Sequence, residues 1–78
     1  DEQLLELLAK RMRISREIGV YKKEHNMPIL QSPRYSEILE KRSNMGEQMD
    51  LSTEFVKEIL KEIHEESVRQ QMIIMNEQ

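Results

Sequence analysis

An all-α chain of three helices, long, short and long, is what this sequence predicts, and three observations carry the prediction. Only two glycines and two prolines punctuate the 78 residues. Aromatic residues make up 4%, too few for a β-sandwich, while charged residues reach 35%, the composition of amphipathic helices with solvated faces. Apolar residues recur at alternating spacings of three and four along two long stretches.

Each element has its own signals. The first helix is expected over residues 1–25: it opens acidic (Asp1, Glu2) and closes basic (Lys22, Lys23, His25), matching the helix macrodipole. Asn26-Met27-Pro28 ends it, because Pro28 turns the preceding residue away from helical geometry. The second is expected over 33–45, with Ser32 as capping hydroxyl and Pro33 at the first helical position. Gly46, after Asn44-Met45, is expected to take the left-handed cap. The third is expected over 52–77, capped by Ser52. Residues 1–78 then form one domain.

Size and charge narrow the function. A chain this short buries only ~60% of its unfolded surface, and it has no cysteine, so disulfide staples and Cys-ligated zinc are excluded. Self-association is the expected remedy. Twelve Lys plus Arg against 15 Asp plus Glu give a net charge of −3, which argues against nucleic acid as a partner. No apolar run approaches the ~20 residues that cross a bilayer, so no membrane partner is expected. Missing cysteine and a missing export signal point to the cytoplasm.

The first helix carries a seam at Leu4, Leu8, Arg11, Ser15, Ile18, Lys22 and His25, spaced like a heptad. It is polar at Arg11, Ser15 and Lys22. Arg11 and Lys22 are eleven residues apart, three turns, so they face the same way about 16 Å apart along the axis. That interval suits a small dianion held at both ends. The third helix has a stripe of Val56, Leu60, Ile63, Ser67, Gln71 and Ile74, flanked by Phe55, Ile59, Val68 and Met72 and interrupted by Ser67 and Gln71 one turn apart. A buried polar group without a partner costs roughly 1–3 kcal/mol, so these interruptions call for something that satisfies them.

Plainer readings stand beside the sharp one. A single seam Arg or Lys ordinarily snorkels to water or forms an ion pair; two in register with Ser67 and Gln71 point to a bound anion. Ser15 reads as a small seam residue, Gly19 as a mark of close helix contact, and the six methionines as gap fillers. Metal sites fail on spacing: Val68 stands where a zincin helix would follow His64-Glu65 with a second histidine. Lys61 and Lys22 precede His64 and His25 where a di-iron bundle needs glutamate. Glu54, Glu58, Glu62 and Glu66 form a solvated row that Lys57, Lys61 and Arg69 can pair. There is no glycine-rich phosphate loop and no nucleophile beside a base. An enzyme built on this chain would use neither covalent nor metal chemistry, and no cofactor is expected.

Asp1-Glu2-Gln3-Leu4-Leu5-Glu6-Leu7-Leu8-Ala9-Lys10-Arg11, Ile18-Gly19 with Lys22, Pro28-Ile29, Arg34, and Glu66-Ser67-Val68 with Gln70-Gln71 resemble the all-helical class of chorismate mutases. The resemblance covers essentially the whole chain and implies an intertwined helical homodimer that shares its long first helix. It implies an isomerase of phenylalanine and tyrosine biosynthesis, in the shikimate pathway, that rearranges chorismate to prephenate. Position by position, Lys22 and Gln71 would donate to the ether oxygen. Arg11 would bind a carboxylate, Ser67 would touch the ring carboxylate, and Arg34 would close the site from the second helix. Tyr35 stands where the family commonly has a glutamate for the substrate hydroxyl, and Gln31 where it has an aspartate, whose place backbone groups could take. The family also uses an arginine near the start of the first helix, reaching into the partner subunit's site. This chain begins after that position, so it is expected to lack the first turns of the helix.

Members of the class are often fused to DAHP synthase, prephenate dehydratase or prephenate dehydrogenase, so an excised mutase domain of a bifunctional protein is one expectation. Two alternatives stay open: an isochorismate-pyruvate lyase of the same fold, and a non-catalytic helical dimerisation or regulatory domain.

Overall fold

Three helices, α1 (Glu2–Glu24), α2 (Ser32–Gln48) and α3 (Thr53–Asn76), make up the computed structural model of the chain. Residues 1–29 and 32–77 are described, and of residues 32–34 the backbone alone. No strand occurs among the described residues, in agreement with the all-α expectation. None of these helices is long and apolar enough to cross a membrane.

Both connections start with one device, a left-handed residue that returns two backbone N–H groups to the last turn. After α1, Asn26 takes φ 54°; its N–H donates to Lys23 O at 3.4 Å, and the Met27 N–H donates to Lys22 O at 2.8 Å. After α2, Asp50 takes φ 63°; its N–H donates to Glu47 O at 3.1 Å, and the Leu51 N–H donates to Gly46 O at 2.9 Å. This corrects the expectation for Gly46, since no glycine has positive φ. Asn and Asp visit the left-handed region because their short polar side chains bond locally, so Asp50 serves and α2 runs on to Gln48. Gly46 has another reason to be glycine: a Cβ there would stand 2.7 Å from Val56 Cγ2 of α3. At the start of α3 the Phe55 N–H donates to Ser52 Oγ at 3.4 Å, the cap the sequence predicts.

The chain divides into two compact units, Asp1–Leu30 with Ile63–Gln78, and Gln31–Glu62. In the first, α1 meets the later half of α3 closely at Gly19, where a Cβ would lie 3.1 Å from Gln71 Cα and 3.3 Å from Ile74 Cβ. One turn on, Lys23 Nζ donates to Ile74 O at 3.1 Å and also to Glu77 O. A cation from α1 thus bonds carbonyls at the negative end of the α3 dipole, one of which, Ile74 O, also accepts from the Glu77 N–H at 3.2 Å. In the second unit, buried Ser43 donates its hydroxyl to Leu39 O at 2.7 Å.

The interior is unusual in kind. Among the described residues no apolar side chain is buried, and the buried side chains are Ser15, Ser43 and Gln71. Val56, Leu60, Ile63 and Ile74 of the α3 stripe are half-buried. Leu4 and Ile18 of the α1 seam are 56% and 41% exposed. Apolar surface that ordinarily stabilises a fold, at about 25 cal/mol per Å² removed from water, is left uncovered by the chain alone.

Candidate active site

The site forms where Gly19 lets α1 and α3 approach. Ser15 stands four residues before Gly19 and Lys22 three after it, so all three share one face of α1. Ser67 and Gln71 are one turn apart on α3 and meet that face. Ser15 Oγ and Ser67 Oγ lie 2.5 Å apart. Gln71 Nε2 donates to Ser67 Oγ at 3.3 Å, and Lys22 Nζ donates to Gln71 Oε1 at 3.2 Å. The ammonium also donates to Ile29 O at 2.6 Å, just beyond the α1 connection. Ser15 Oγ in turn donates to Arg11 O at 3.0 Å. One chain of hydrogen bonds therefore runs from the Arg11 carbonyl through two hydroxyls and an amide to the Lys22 ammonium.

Ser15, Lys22, Ser67 and Gln71 each find a partner in this network, and among the described residues no buried side-chain nitrogen or oxygen lacks a hydrogen bond. What the network leaves over is charge. Lys22 is half-buried, and its acceptors are a backbone carbonyl and an amide, both neutral. No carboxylate of the described residues lies within ion-pair distance of it. Burial accordingly pushes the Lys22 ammonium below its usual pKa of 10.5, since desolvation disfavours the charged form. A desolvated cation facing only neutral oxygens is a place for an anion.

Counting protons shows what remains to give. An ammonium has three donors and a primary amide two. Lys22 uses two and Gln71 one, which leaves one N–H on each of two adjacent groups.

The other expected residues fall in different places. Arg11 is half-buried on α1, one turn before Ser15; it joins the network through its carbonyl, and its guanidinium makes no hydrogen bond or ion pair among the described residues. Tyr35 is half-buried on α2, in the second unit. Gln31 and the Arg34 side chain lie outside the described residues. Glu66, from the acidic row, is exposed to bonding on its own helix: Gln70 Nε2 donates to it at 2.9 Å and Arg69 Nε at 2.7 Å. These bonds, the Gln70 one foremost, hold its carboxyl below the usual range. Sequence reasoning missed Ser15 and the Ile29 carbonyl as members of the site. Ser15 carried a signal, being a hydroxyl four residues after Arg11 in a seam that faces Ser67. The Ile29 carbonyl carried none.

The chain is 34% identical, over 76 residues, to the bifunctional chorismate mutase/prephenate dehydratase of Buchnera aphidicola subsp. Schizaphis graminum (strain Sg). The match takes in 97% of this chain and 20% of that protein, so the chain spans about a fifth of the length of the curated relative. No solved structure gives a significant match. The sequence model of the family described as chorismate mutase type II matches residues 1–72, a span that contains Ser15, Lys22, Ser67 and Gln71. The chain belongs to the type II chorismate mutase family, a family of isomerases.

Proposed function

We propose that this chain converts chorismate to prephenate, and that Lys22 and Gln71 stabilise the ether oxygen on which charge develops as the C–O bond breaks. The carrying observation is the Lys22–Gln71 pair, 3.2 Å apart, each with one unspent proton, and with a cation that has no anionic partner among the described residues. The reaction is a unimolecular pericyclic shift, so it needs no base and no nucleophile. It needs the substrate folded and donors fixed before charge appears, which is preorganised electrostatics. Arg11 binds one carboxylate, and Ser67 touches the ring carboxylate. Arg34 closes the site, and Tyr35 and Gln31 serve the substrate hydroxyl and its surroundings.

The reading includes a homodimer, supported by the uncovered apolar side chains of α1 and α3, such as Leu4, Leu7, Ile14 and Phe55. It places the reaction in the cytoplasm, as part of phenylalanine and tyrosine biosynthesis. It extends to a longer protein in which a second aromatic-pathway domain joins this one. The relative of which this chain spans a fifth supports that arrangement.

Product identity tests the assignment. Chorismate incubated with the protein is expected to give prephenate without pyruvate, and isochorismate to give no pyruvate. Pyruvate release from isochorismate would make the chain a lyase. Inertness towards both, with no saturable heat on titration with a bicyclic dicarboxylate mimic of the transition state, would make it a scaffold.

A further inference from the structure

Two acceptors of different kinds hold the Lys22 ammonium. Gln71 Oε1, 3.2 Å away, sits at the tip of a side chain. Ile29 O, 2.6 Å away, belongs to the backbone just after α1. We propose that Asn26 is a positioning residue: its left-handed turn brings the Ile29 carbonyl to the Lys22 ammonium, and that contact fixes where the third N–H of the ammonium points. The inference rests on the reading of Lys22 as donor to the ether oxygen.

This contact admits one assignment of its proton, since an ammonium only donates and a carbonyl only accepts. An ammonium also rotates freely, on a flexible four-carbon stem. Bonded to Gln71 alone, it would swing together with the amide, keeping that bond while losing its aim. Two N–H groups committed to separate acceptors fix both the position and the rotation of the group. The remaining N–H then has one direction. Of the two acceptors, the backbone carbonyl is the one with no side-chain torsions of its own.

Asn26 places that carbonyl. It takes φ 54°, a region that asparagine and glycine enter readily and β-branched residues do not. The turn lets the Met27 N–H donate to Lys22 O at 2.8 Å, and two residues further on Ile29 O meets the Lys22 ammonium. Residue 22 is thus tied to one short stretch of chain both through its own carbonyl and through its side chain. Asn26 is exposed, so a substitution there acts through the backbone rather than through packing.

The test compares Asn26→Gly, which keeps the left-handed turn, with Asn26→Val, which opposes it. Asn26→Gly is expected to retain the wild-type kcat. Asn26→Val is expected to lower kcat about ten-fold or more, the loss of one hydrogen bond to a charged group, with KM within about three-fold. No further loss is expected where Lys22→Ala is already present. A turn that merely ends the helix would change stability and leave the kcat of folded variant alone. An unchanged kcat in Asn26→Val, or an equal loss in both backgrounds, overturns the proposal. Should Asn26→Val not fold, Asn26→Ala replaces it and is read in the same way.

A second measurement separates this proposal from the proposed reaction. The titration of Lys22, followed at its Cε carbon by nuclear magnetic resonance without substrate, is expected to shift its midpoint in Asn26→Val and not in Asn26→Gly. An unshifted midpoint in Asn26→Val overturns the role of Asn26 whatever the activity. A shifted midpoint in a chain inert towards chorismate upholds the positioning role and sinks only the reaction.

Discussion

Lys22 sets the pH dependence expected of the proposed reaction. Its ammonium sits half out of water with neutral acceptors, so it loses its proton below its ordinary 10.5. The proposed reaction needs that proton as a donor and needs no other titration. We therefore expect kcat/KM to stay level through neutrality and to fall on the alkaline side at a pH below 10.5. A bound dianion favours the charged form, so the fall in kcat should come at higher pH than the fall in kcat/KM. A bell with both limbs between about pH 6 and 8 would contradict the mechanism.

Stability follows the opposite sign to activity. The unfolded chain holds the Lys22 proton more tightly, so in the window below pH 10.5 it binds more protons than the folded chain, and this group's contribution to stability rises with pH. Lys22, Ser67 and Gln71 were legible in the sequence because helical spacing alone puts polar residues on an apolar stripe. Ser15 was legible only as a small polar member of the same seam, because its contact with Ser67 depends on the register of another helix.

At the scale of elements, two glycines set the distances. Gly46 was read as a helix cap because glycine serves both left-handed turns and close approach, and local sequence does not separate the two uses. Val56 decides it, from α3. Gly46→Ala puts a methyl 2.7 Å from Val56 Cγ2. Overpacking of this kind costs ~1–3 kcal/mol, offset by about 1 kcal/mol of better helix propensity. Denaturant titration should show net destabilisation, and Val56→Ala in the same chain should relieve part of it. Strictly additive losses would mean that the two residues do not press on each other.

Gly19→Ala meets backbone rather than a side-chain tip, at Gln71 Cα, 3.1 Å away. It should displace the amide from Lys22 and cost activity beyond its effect on stability. Activity assays on folded variant check this, and an unchanged kcat would remove Gly19 from the positioning of the site. Lys23 acts at the end of the same contact, and Lys23→Ala should fray α3 and cost about 1 kcal/mol, read by denaturant titration.

The whole molecule is defined by what it does not cover. Among the described residues the buried side chains are polar and no apolar one is buried, so an isolated chain of 78 residues has little to offset its conformational entropy. Its length and its lack of cysteine are what make the sequence predict a partner. It could not show which apolar residues stay open, because a heptad seam reads alike whether its partner lies in the same chain or in another. If a second copy covers Leu4, Leu7 and Phe55, the Tm should rise with protein concentration, and sedimentation should give twice the chain mass. A concentration-independent Tm with a monomeric mass would contradict the dimer.

The account turns on Lys22 and Gln71 acting together on one substrate oxygen, and the loss of chorismate absorbance measures that most directly. Wild-type protein should consume chorismate, and Lys22→Ala or Gln71→Ala, with helical content kept, should do so with kcat/KM lower by roughly 10²–10³. A folded Lys22→Ala that turns chorismate over at the wild-type rate would contradict it.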